Sequence, residues 1–374
     1  MKVLHVITGL AAGGAEQQLL LTVRHLPPAI RCEVAALTNP GSVAAALRAE
    51  GVPVHDLDMR GNRDLAVLPR LVRLIRRGRY DVVHTHLYRA GLYGRLAARL
   101  AGVRSVLATE HSLHAGTIEG RAVSPGVKAL YLAAERLGST TVAVSERVAG
   151  TLADWGVPAQ RVAVLPNGIE TAGFAVPWER RAAVRRRLGV AGDAFVVGAV
   201  GRLVPGKRFE VLVEALTGLP GAVLLVVGEG PQRAALRELA QRLGVEGRVL
   251  LLGERTEVPE LLTAMDVLAA PSAEETFGLA VLEGLAAGLP VLHSGCPALE
   301  ELPAAAAPGA RKLPSTVAAY REALLALDRA PLAVPLPRPP AVAHYDIVRT
   351  AARLGELYER LGGATRPVPA GRES

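Results

Sequence analysis

Val267-Leu268-Ala269-Ala270-Pro271-Ser272-Ala273-Glu274-Glu275-Thr276-Phe277-Gly278-Leu279-Ala280-Val281-Leu282-Glu283 reads, in order, as a short apolar strand, a polar turn and the opening of a helix. The four apolar residues before Pro271 suit a buried strand, and the helical pattern runs over 278–287. Amides of Phe277, Gly278 and Leu279 at such a helix start lack intrahelical acceptors and point outward at oxygen ligands. Glu275 stands just before the helix and Glu283 about one and a half turns in. Both carboxylates can line one pocket while gripping different parts of a ligand, and hydroxyl-rich groups suit them because a carboxylate only accepts. The chain leaves through Gly288-Leu289-Pro290-Val291 into another strand. A strand followed by a functional loop and a helix is the repeating unit of an open parallel α/β sheet.

The same alternation extends on both sides. Ahead of 267–270 the second half shows strands over 194–201, 222–227 and 249–252, and one follows over 290–292. Helices fall at 209–216, 231–243 and 258–264. The first half shows strands over 3–8, 32–37, 52–57, 81–86, 105–109 and 141–144, with helices at 16–26, 43–50, 65–77, 90–101 and 128–137. The Arg-heavy stretch 177–188 interrupts the pattern and reads as an interdomain junction. A chain of 374 residues is too long for one ordinary core. The expected fold is therefore α/β, with two Rossmann-like doubly wound domains over 1–176 and 190–340. The segment 341–374 adds a final amphipathic helix over 345–361 and a polar, frayed end.

Composition narrows the function. Half of the residues are hydrophobic but only 3% are aromatic, so the stacking platforms of single-stranded nucleic-acid binders are scarce. The net charge of +8 points to an anionic partner. Lysine occurs only at positions 2, 128, 207 and 312 among 43 basic residues. A generic surface cation here is an arginine, which makes Lys207 a specific choice. Cys32 and Cys296 form neither a metal spacing nor a disulfide framework, which suits a reducing cytoplasm. The N-terminus runs straight into a strand without a signal-peptide pattern, and no apolar run reaches the roughly 20 residues of a membrane helix.

Two further loops follow strand ends. Gly9-Leu10-Ala11-Ala12-Gly13-Gly14-Ala15-Glu16 lets backbone approach a ligand closely but lacks the dinucleotide G-x-G-x-x-G spacing, so the case for a nicotinamide-dependent dehydrogenase is poor. Gly201-Arg202-Leu203-Val204-Pro205-Gly206-Lys207 places two cations five residues apart on a glycine-bounded loop. Arg202 as a fork and Lys207 as a point charge can grip a diphosphate.

Taken in order, Gly13-Gly14-Ala15-Glu16, Asp81-Val82-Val83-His84-Thr85-His86, Pro166-Asn167-Gly168-Ile169, Gly201-Arg202 with Lys207, Gly228-Glu229-Gly230-Pro231 and the Glu275–Glu283 block resemble the retaining glycosyltransferases of the GT-B fold, family four (group 1 glycosyltransferases). The resemblance covers nearly the whole chain. It implies two domains facing across a cleft, the last helix crossing back to the N-terminal domain, and use of a nucleoside-diphosphate sugar without a cofactor or metal. By that resemblance Arg202 and Lys207 bind the donor diphosphate, with Gly13 and Gly14 reaching it, and Asn167 neighbours the phosphates. Glu275 accepts from sugar hydroxyls, the amides of Phe277, Gly278 and Leu279 hold sugar or phosphate oxygens, and Glu283 takes the ribose. The base lies near Gly230 and Arg255, and His111 sits beside the transferred sugar. His111, Glu275, Arg202 and Lys207 are the expected catalytic set. The implied reaction is retaining transfer from a UDP-sugar, GlcNAc or glucose favoured, to a hydroxyl on a cell-surface glycan intermediate or a small antibiotic-type acceptor such as an aminoglycoside. The segment from Ser294 to Glu300 departs from the family's Gly-Gly-x-x-Glu pattern.

Other features read more plainly. Asp56-Leu57-Asp58 mimics a D-x-D metal motif but falls at a strand end, where paired acids are surface residues. His84 and His86 share a strand face and are expected to face the cleft; with His111 and His114 they lack an acid or cysteine partner at zinc spacing. The helix bearing Arg70, Arg73, Arg76 and Arg77 could touch an anionic membrane peripherally. Two rival functions remain: a glycoside hydrolase using the glutamate pair, and a nucleotide-sugar epimerase of the same fold. Nucleic acid is not an expected partner.

Overall fold

The computed structural model describes residues 1–11, 13–61 and 64–363. The chain forms two compact units: Met1–Gly168 together with the chain from Ile347 onward, and Ile169–Asp346. The expected frayed end, like Ala12, lies outside the described residues.

The first unit is built on β1 (Lys2–Ile7), β2 (Arg31–Ala36), β3 (Val54–Asp56), β4 (Val82–His86) and β5 (Ser105–Glu110). A short antiparallel pair, β6 (Thr117–Ile118) and β7 (Arg121–Ala122), precedes β8 (Thr140–Ala143) and β9 (Val162–Val164). The main sheet runs β3-β2-β1-β4-β5-β8-β9, all parallel. Its central strands are covered on both faces, so consecutive residues are buried with no apolar-polar alternation, and the polar side chains among them, such as His5, His84 and His86, are buried too. Leu4, Val6 and Val83 pack on one face with Leu71 and Ile75 of the helix Val67–Gly78. Val3, Val82 and Leu107 pack on the other with Leu354, Leu357 and Tyr358 of the last helix, Ile347–Gly363. The return of that helix to the first unit is thus fixed by apolar burial. A hydrogen bond of 2.8 Å from Ser105 Oγ to the Leu361 carbonyl adds to it.

The second unit holds β10 (Val196–Val200), β11 (Val223–Val227), β12 (Val249–Gly253), β13 (Val267–Ala270), β14 (Val291–His293) and β15 (Ala310–Lys312). These pair in parallel in the order β12-β11-β10-β13-β14-β15. In each unit the strand order reverses once, at β1/β4 and at β10/β13. Such a reversal splays the loops after its two strands apart, and ligands of open α/β sheets bind there.

The Arg-rich stretch read as a junction is a helix of the second unit, Arg181–Arg187. Arg185 is 3% exposed and donates to Asp266 at 2.8 Å, and Arg181 pairs with the other oxygen of the same carboxylate. Asp266 also accepts from the Val196 amide at 2.7 Å, so this ionic cluster clamps the base of β10 to the base of β13. Charge density reads as a junction, but Asp266, some 80 residues on, holds Arg185 inside and Arg181 half-buried, while Arg180, Arg186 and Arg187 stay exposed. Among the described residues, no helix is long and apolar enough to cross a membrane.

Candidate active site

The loops after β10 and β13 meet at the reversal point of the second unit. Backbone contacts lock them in place: the Ala273 amide donates to the Gly206 carbonyl at 3.1 Å, and the Gly201 amide to the Val227 carbonyl at 3.0 Å. The loop after β11 joins through Leu203 N–H to the Glu229 carbonyl, 3.0 Å, and Gln232 N–H to the Leu203 carbonyl, 2.9 Å. Gly228 has φ +141°, and a Cβ there would lie 2.0 Å from the Gly201 carbonyl oxygen. Only glycine permits this backbone and this approach.

On that platform Lys207 is ion-paired with Glu275. Both are largely shielded, their side chains 25% and 15% exposed. The stem of Lys207 runs beside Gly201, within ordinary contact distance of where a Cβ would be. Arg202 is exposed at the mouth of the same loop. Glu283 is partly buried in the helix Leu279–Ala286; burial pushes its carboxyl up to about 7, opposed by the nearby charge of Lys207. The unit thus gathers a cation, a carboxylate held by it, and a second carboxylate balanced between charged and neutral forms near pH 7.

The expected helix start is found one residue on, with Gly278 as N-cap at φ +105° and the helix beginning at Leu279. By position the amides of Gly278 and Leu279 have no intrahelical acceptor. Phe277 contributes backbone alone, because its ring is 2% exposed and packs edge-on against Tyr345, centroids 5.1 Å apart. Beneath the turn lies Cys296, whose thiol donates to the Phe277 carbonyl at 3.4 Å and is pushed up to about 12 by burial. A Cβ on Gly278 would stand 2.4 Å from that sulfur. The departure from family pattern at 294–300 therefore puts a packed thiol under the helix start. Gly230 rests on Leu203, and Arg255 is exposed with its guanidinium on the Leu252 carbonyl at 3.1 Å.

In the first unit, Gly13 is the N-cap of the helix Gly14–His25. Asn167, 9% exposed, precedes Gly168, whose amide and carbonyl are both bonded to the Gln18 side chain at 2.9 and 2.6 Å. His111 follows the end of β5, and its Nε2 lies 3.1 Å from Nδ1 of His86. His84 and His86 do share a face, their rings 4.2 Å apart, yet they are interior residues and not the cleft-facing strand ends expected. His84 is bonded to the Tyr358 hydroxyl at 2.6 Å and to Thr109 Oγ1 at 2.7 Å. The last helix covers that face, which the histidine spacing alone could not reveal. Asp56 and Asp58 are exposed, and the Asp56 carboxylate accepts from the Asp58 amide at 3.0 Å, a local turn bond.

Residues 12–172 match the family described as Glycosyltransferase Family 4, and residues 180–327 that described as Glycosyl transferases group 1. A D-inositol 3-phosphate glycosyltransferase of Nocardia farcinica is 31% identical over 320 residues, 78% of this chain and 68% of that protein. The chain belongs to glycosyltransferase family 4. A UDP-Gal:alpha-D-GlcNAc-diphosphoundecaprenol alpha-1,3-galactosyltransferase of Escherichia coli is another relative, 31% identical over 256 residues, 66% of each chain. The chain thus spans about two thirds of the length of these relatives. Among solved structures, Anabaena Alr3699/HepE in complex with UDP-glucose superposes with a TM-score of 0.81 at 24% identity, covering 96% of this chain and 100% of that one, and so shares the fold, which is GT-B.

For a family 4 glycosyltransferase the sequence motifs name most of the groups just described, but they miss His5. It sits in β1 opposite His84, fully buried, with Nδ1 3.0 Å from Nε2 of His86. Its only sequence signal is parity: residues 3, 5 and 7 of a strand share a face. Ligand atoms of His5, His84 and His86 lie within 4.8 Å of one another, the one metal-sized grouping among the described residues. Both ring nitrogens of His84 and of His86 already have protein partners, however.

Proposed function

We propose that this chain transfers a sugar, with retention at the anomeric carbon and without a metal, from a UDP-sugar to a hydroxyl acceptor. GlcNAc and glucose are the favoured sugars. The observation that carries the reading is the Lys207–Glu275 pair at the β10/β13 reversal point. A leaving diphosphate needs fixed positive charge, which Lys207, Arg202 and the amides at Gly278 and Leu279 can supply with no metal. Glu275, held by Lys207, serves as a positioner of sugar hydroxyls. Glu283 takes the ribose, and the backbone about Gly230 and Arg255 takes the base. The UDP-glucose bound by the Anabaena protein of the same fold supports the donor class. In the first unit His111 contacts the transferred sugar, with Gly13, Gly14 and Asn167 beside the phosphates. With Glu275 committed to Lys207, we favour front-face attack in which the departing phosphate takes the acceptor proton.

Two acceptor classes have support. The diphosphoundecaprenol substrate named for the E. coli relative favours a cell-surface glycan intermediate. The inositol phosphate named for the Nocardia relative favours a small polyol, and an aminoglycoside belongs to that class. In either case the protein works in the cytoplasm, at most peripheral to a membrane. The test is purified protein with UDP-GlcNAc, UDP-glucose and GDP-mannose, following slow donor hydrolysis by mass spectrometry. Nucleotide release is expected from one UDP-sugar; none from any donor, with or without acceptors, overturns the reading. A hydrolase would instead cleave simple glycosides without nucleotide, and an epimerase would turn over donor with no acceptor.

A further inference from the structure

Gly278 opens the helix Leu279–Ala286 at φ +105°, and no side chain caps it. Glycine enters that left-handed backbone freely and leaves it as freely, so the direction of the amides that follow is not set locally. It is set by two distant segments of the same unit. The Phe277 carbonyl accepts from the Ala298 amide at 3.0 Å and from the Cys296 thiol at 3.4 Å. The Ala298 carbonyl in turn accepts from the Tyr345 hydroxyl at 2.7 Å. The Tyr345 ring closes the circuit edge-on against the Phe277 ring, with centroids 5.1 Å apart and planes at 85°. Phe277, Ala298 and Tyr345 are each at most 2% exposed, which shields all three contacts from water.

A buried tyrosine hydroxyl needs a partner, and this one finds it on the segment that holds the helix start. Burial pushes the Tyr345 hydroxyl above its ordinary range, so it stays protonated and can only donate to that carbonyl. The backbone of Tyr345 is anchored separately. Its carbonyl accepts from the Ile169 amide at 2.8 Å, and Ile169 forms a parallel bridge with Asp346. Ile169 and Asp346 are the first and last residues of the second unit, so Tyr345 ties the helix start to the place where the chain enters and leaves that unit. We infer that Tyr345 is a positioning residue for the donor, which acts through Phe277 and Ala298 to aim the amides of Gly278 and Leu279 at the donor's phosphate and sugar oxygens. This rests on the assignment of those amides to the donor. On the same assignment the base and ribose are held elsewhere, by the backbone about Gly230 and Arg255 and by Glu283. Loss of Tyr345 should therefore fall on the diphosphate end alone.

The test compares the affinities of UDP and of uridine for the full chain, UDP by titration calorimetry and uridine by ligand-observed NMR. Tyr345→Phe keeps the ring against Phe277 and loses the bond to Ala298, so UDP should bind about threefold to tenfold more weakly, the worth of one net hydrogen bond. Tyr345→Leu loses both contacts and should weaken UDP by at least about tenfold. Uridine, which lacks the diphosphate, should stay within about twofold of wild type in both variants, as expected for groups held independently. Should Tyr345→Leu fail to fold, Tyr345→Phe decides. An unchanged UDP affinity in Tyr345→Phe overturns the inference. So does an equal loss for UDP and uridine, which is what a merely structural tyrosine would give. A wild-type chain that binds no UDP and releases no nucleotide would instead overturn the donor reading, and this inference with it.

Discussion

Lys207, in the loop after β10, and Glu275, in the loop after β13, are ion-paired although 68 residues separate them. The bond joins the two loops that the reversal of strand order would otherwise splay apart. On the proposed reading, a diphosphate arriving there would compete with Glu275 for the Lys207 ammonium. Lys207→Ala should lower kcat/KM by about 10²–10³, the range seen when one preorganised donor to a developing charge is lost. Lys207→Arg should recover only part, because a planar fork does not replace a point charge on a flexible stem. Steady-state kinetics against the preferred UDP-sugar check both; equal activity of the Ala variant would detach Lys207 from the chemistry.

Glu283 gives the site a pH dependence with a definite sign. Its ordinary value is 4.5 and burial raises it to about 7 in the folded chain. Below 4.5 the carboxyl is protonated in folded and unfolded states alike and contributes nothing to the difference. Between 4.5 and about 7 the folded state binds more protons, so stability falls as pH rises and levels off above 7. The full effect is on the order of 3 kcal/mol at most, from 1.36 kcal/mol per unit. Glu283→Gln should abolish that fall, leaving the variant more stable than wild type at pH 8 and little different at pH 4. A ribose hydroxyl donating to the carboxylate favours its charged form, so UDP binding near pH 6.5 should release a proton, and the variant should lose both the release and the affinity. Calorimetry in two buffers of different ionisation heat reads the proton; thermal unfolding against pH reads the rest.

The glycine platform can be tested without touching a functional side chain. Gly228→Ala adds a Cβ 2.0 Å from the Gly201 carbonyl oxygen at φ +141°. We expect a loss of about 2–4 kcal/mol, since backbone strain and a clash with backbone add. Gly206→Ala, two residues from where Arg208 closes the same turn, has open space at its Cβ and no left-handed backbone. It should unfold within about 0.5 kcal/mol of wild type. Parallel denaturant titrations distinguish the two, and equal midpoints would remove the steric argument.

The legible parts of this molecule are those set by local pattern. The strand 267–270 was read to the residue because four apolar residues end at a proline, and the loops at 201–207 and 271–278 followed from glycines beside charges. Distant partners were not legible. Arg185 looks like part of a junction until Asp266 is beside it, and His84 looks like a cleft residue until Tyr358, 274 residues later, covers it. The short strands β9 and β15 are not legible for a related reason. Three-residue strands carry too few residues to show a period, and their pairing is decided by the neighbour they meet.

Membrane contact separates the two acceptor classes. The helix Val67–Gly78 buries Val67, Leu71 and Ile75 and leaves Arg73, Arg76 and Arg77 exposed. Beside it a shallow groove is lined by Leu68, Val72 and Leu100 among Arg73, Arg76 and Arg77, and Leu65 is 71% exposed. Apolar side chains ringed by arginine suit the headgroup region of an anionic bilayer. The chain should therefore sediment with vesicles containing anionic phospholipid, and not with zwitterionic ones, at low salt. Arg73→Gln with Arg77→Gln should weaken that binding by about tenfold to thirtyfold, each cation being worth about 1 kcal/mol at such a surface. Transfer to a soluble acceptor should be unchanged in the double variant, since neither arginine lies at either reversal point. Binding that ignores lipid charge, or a variant that binds as wild type, would leave the small polyol as the acceptor class with support.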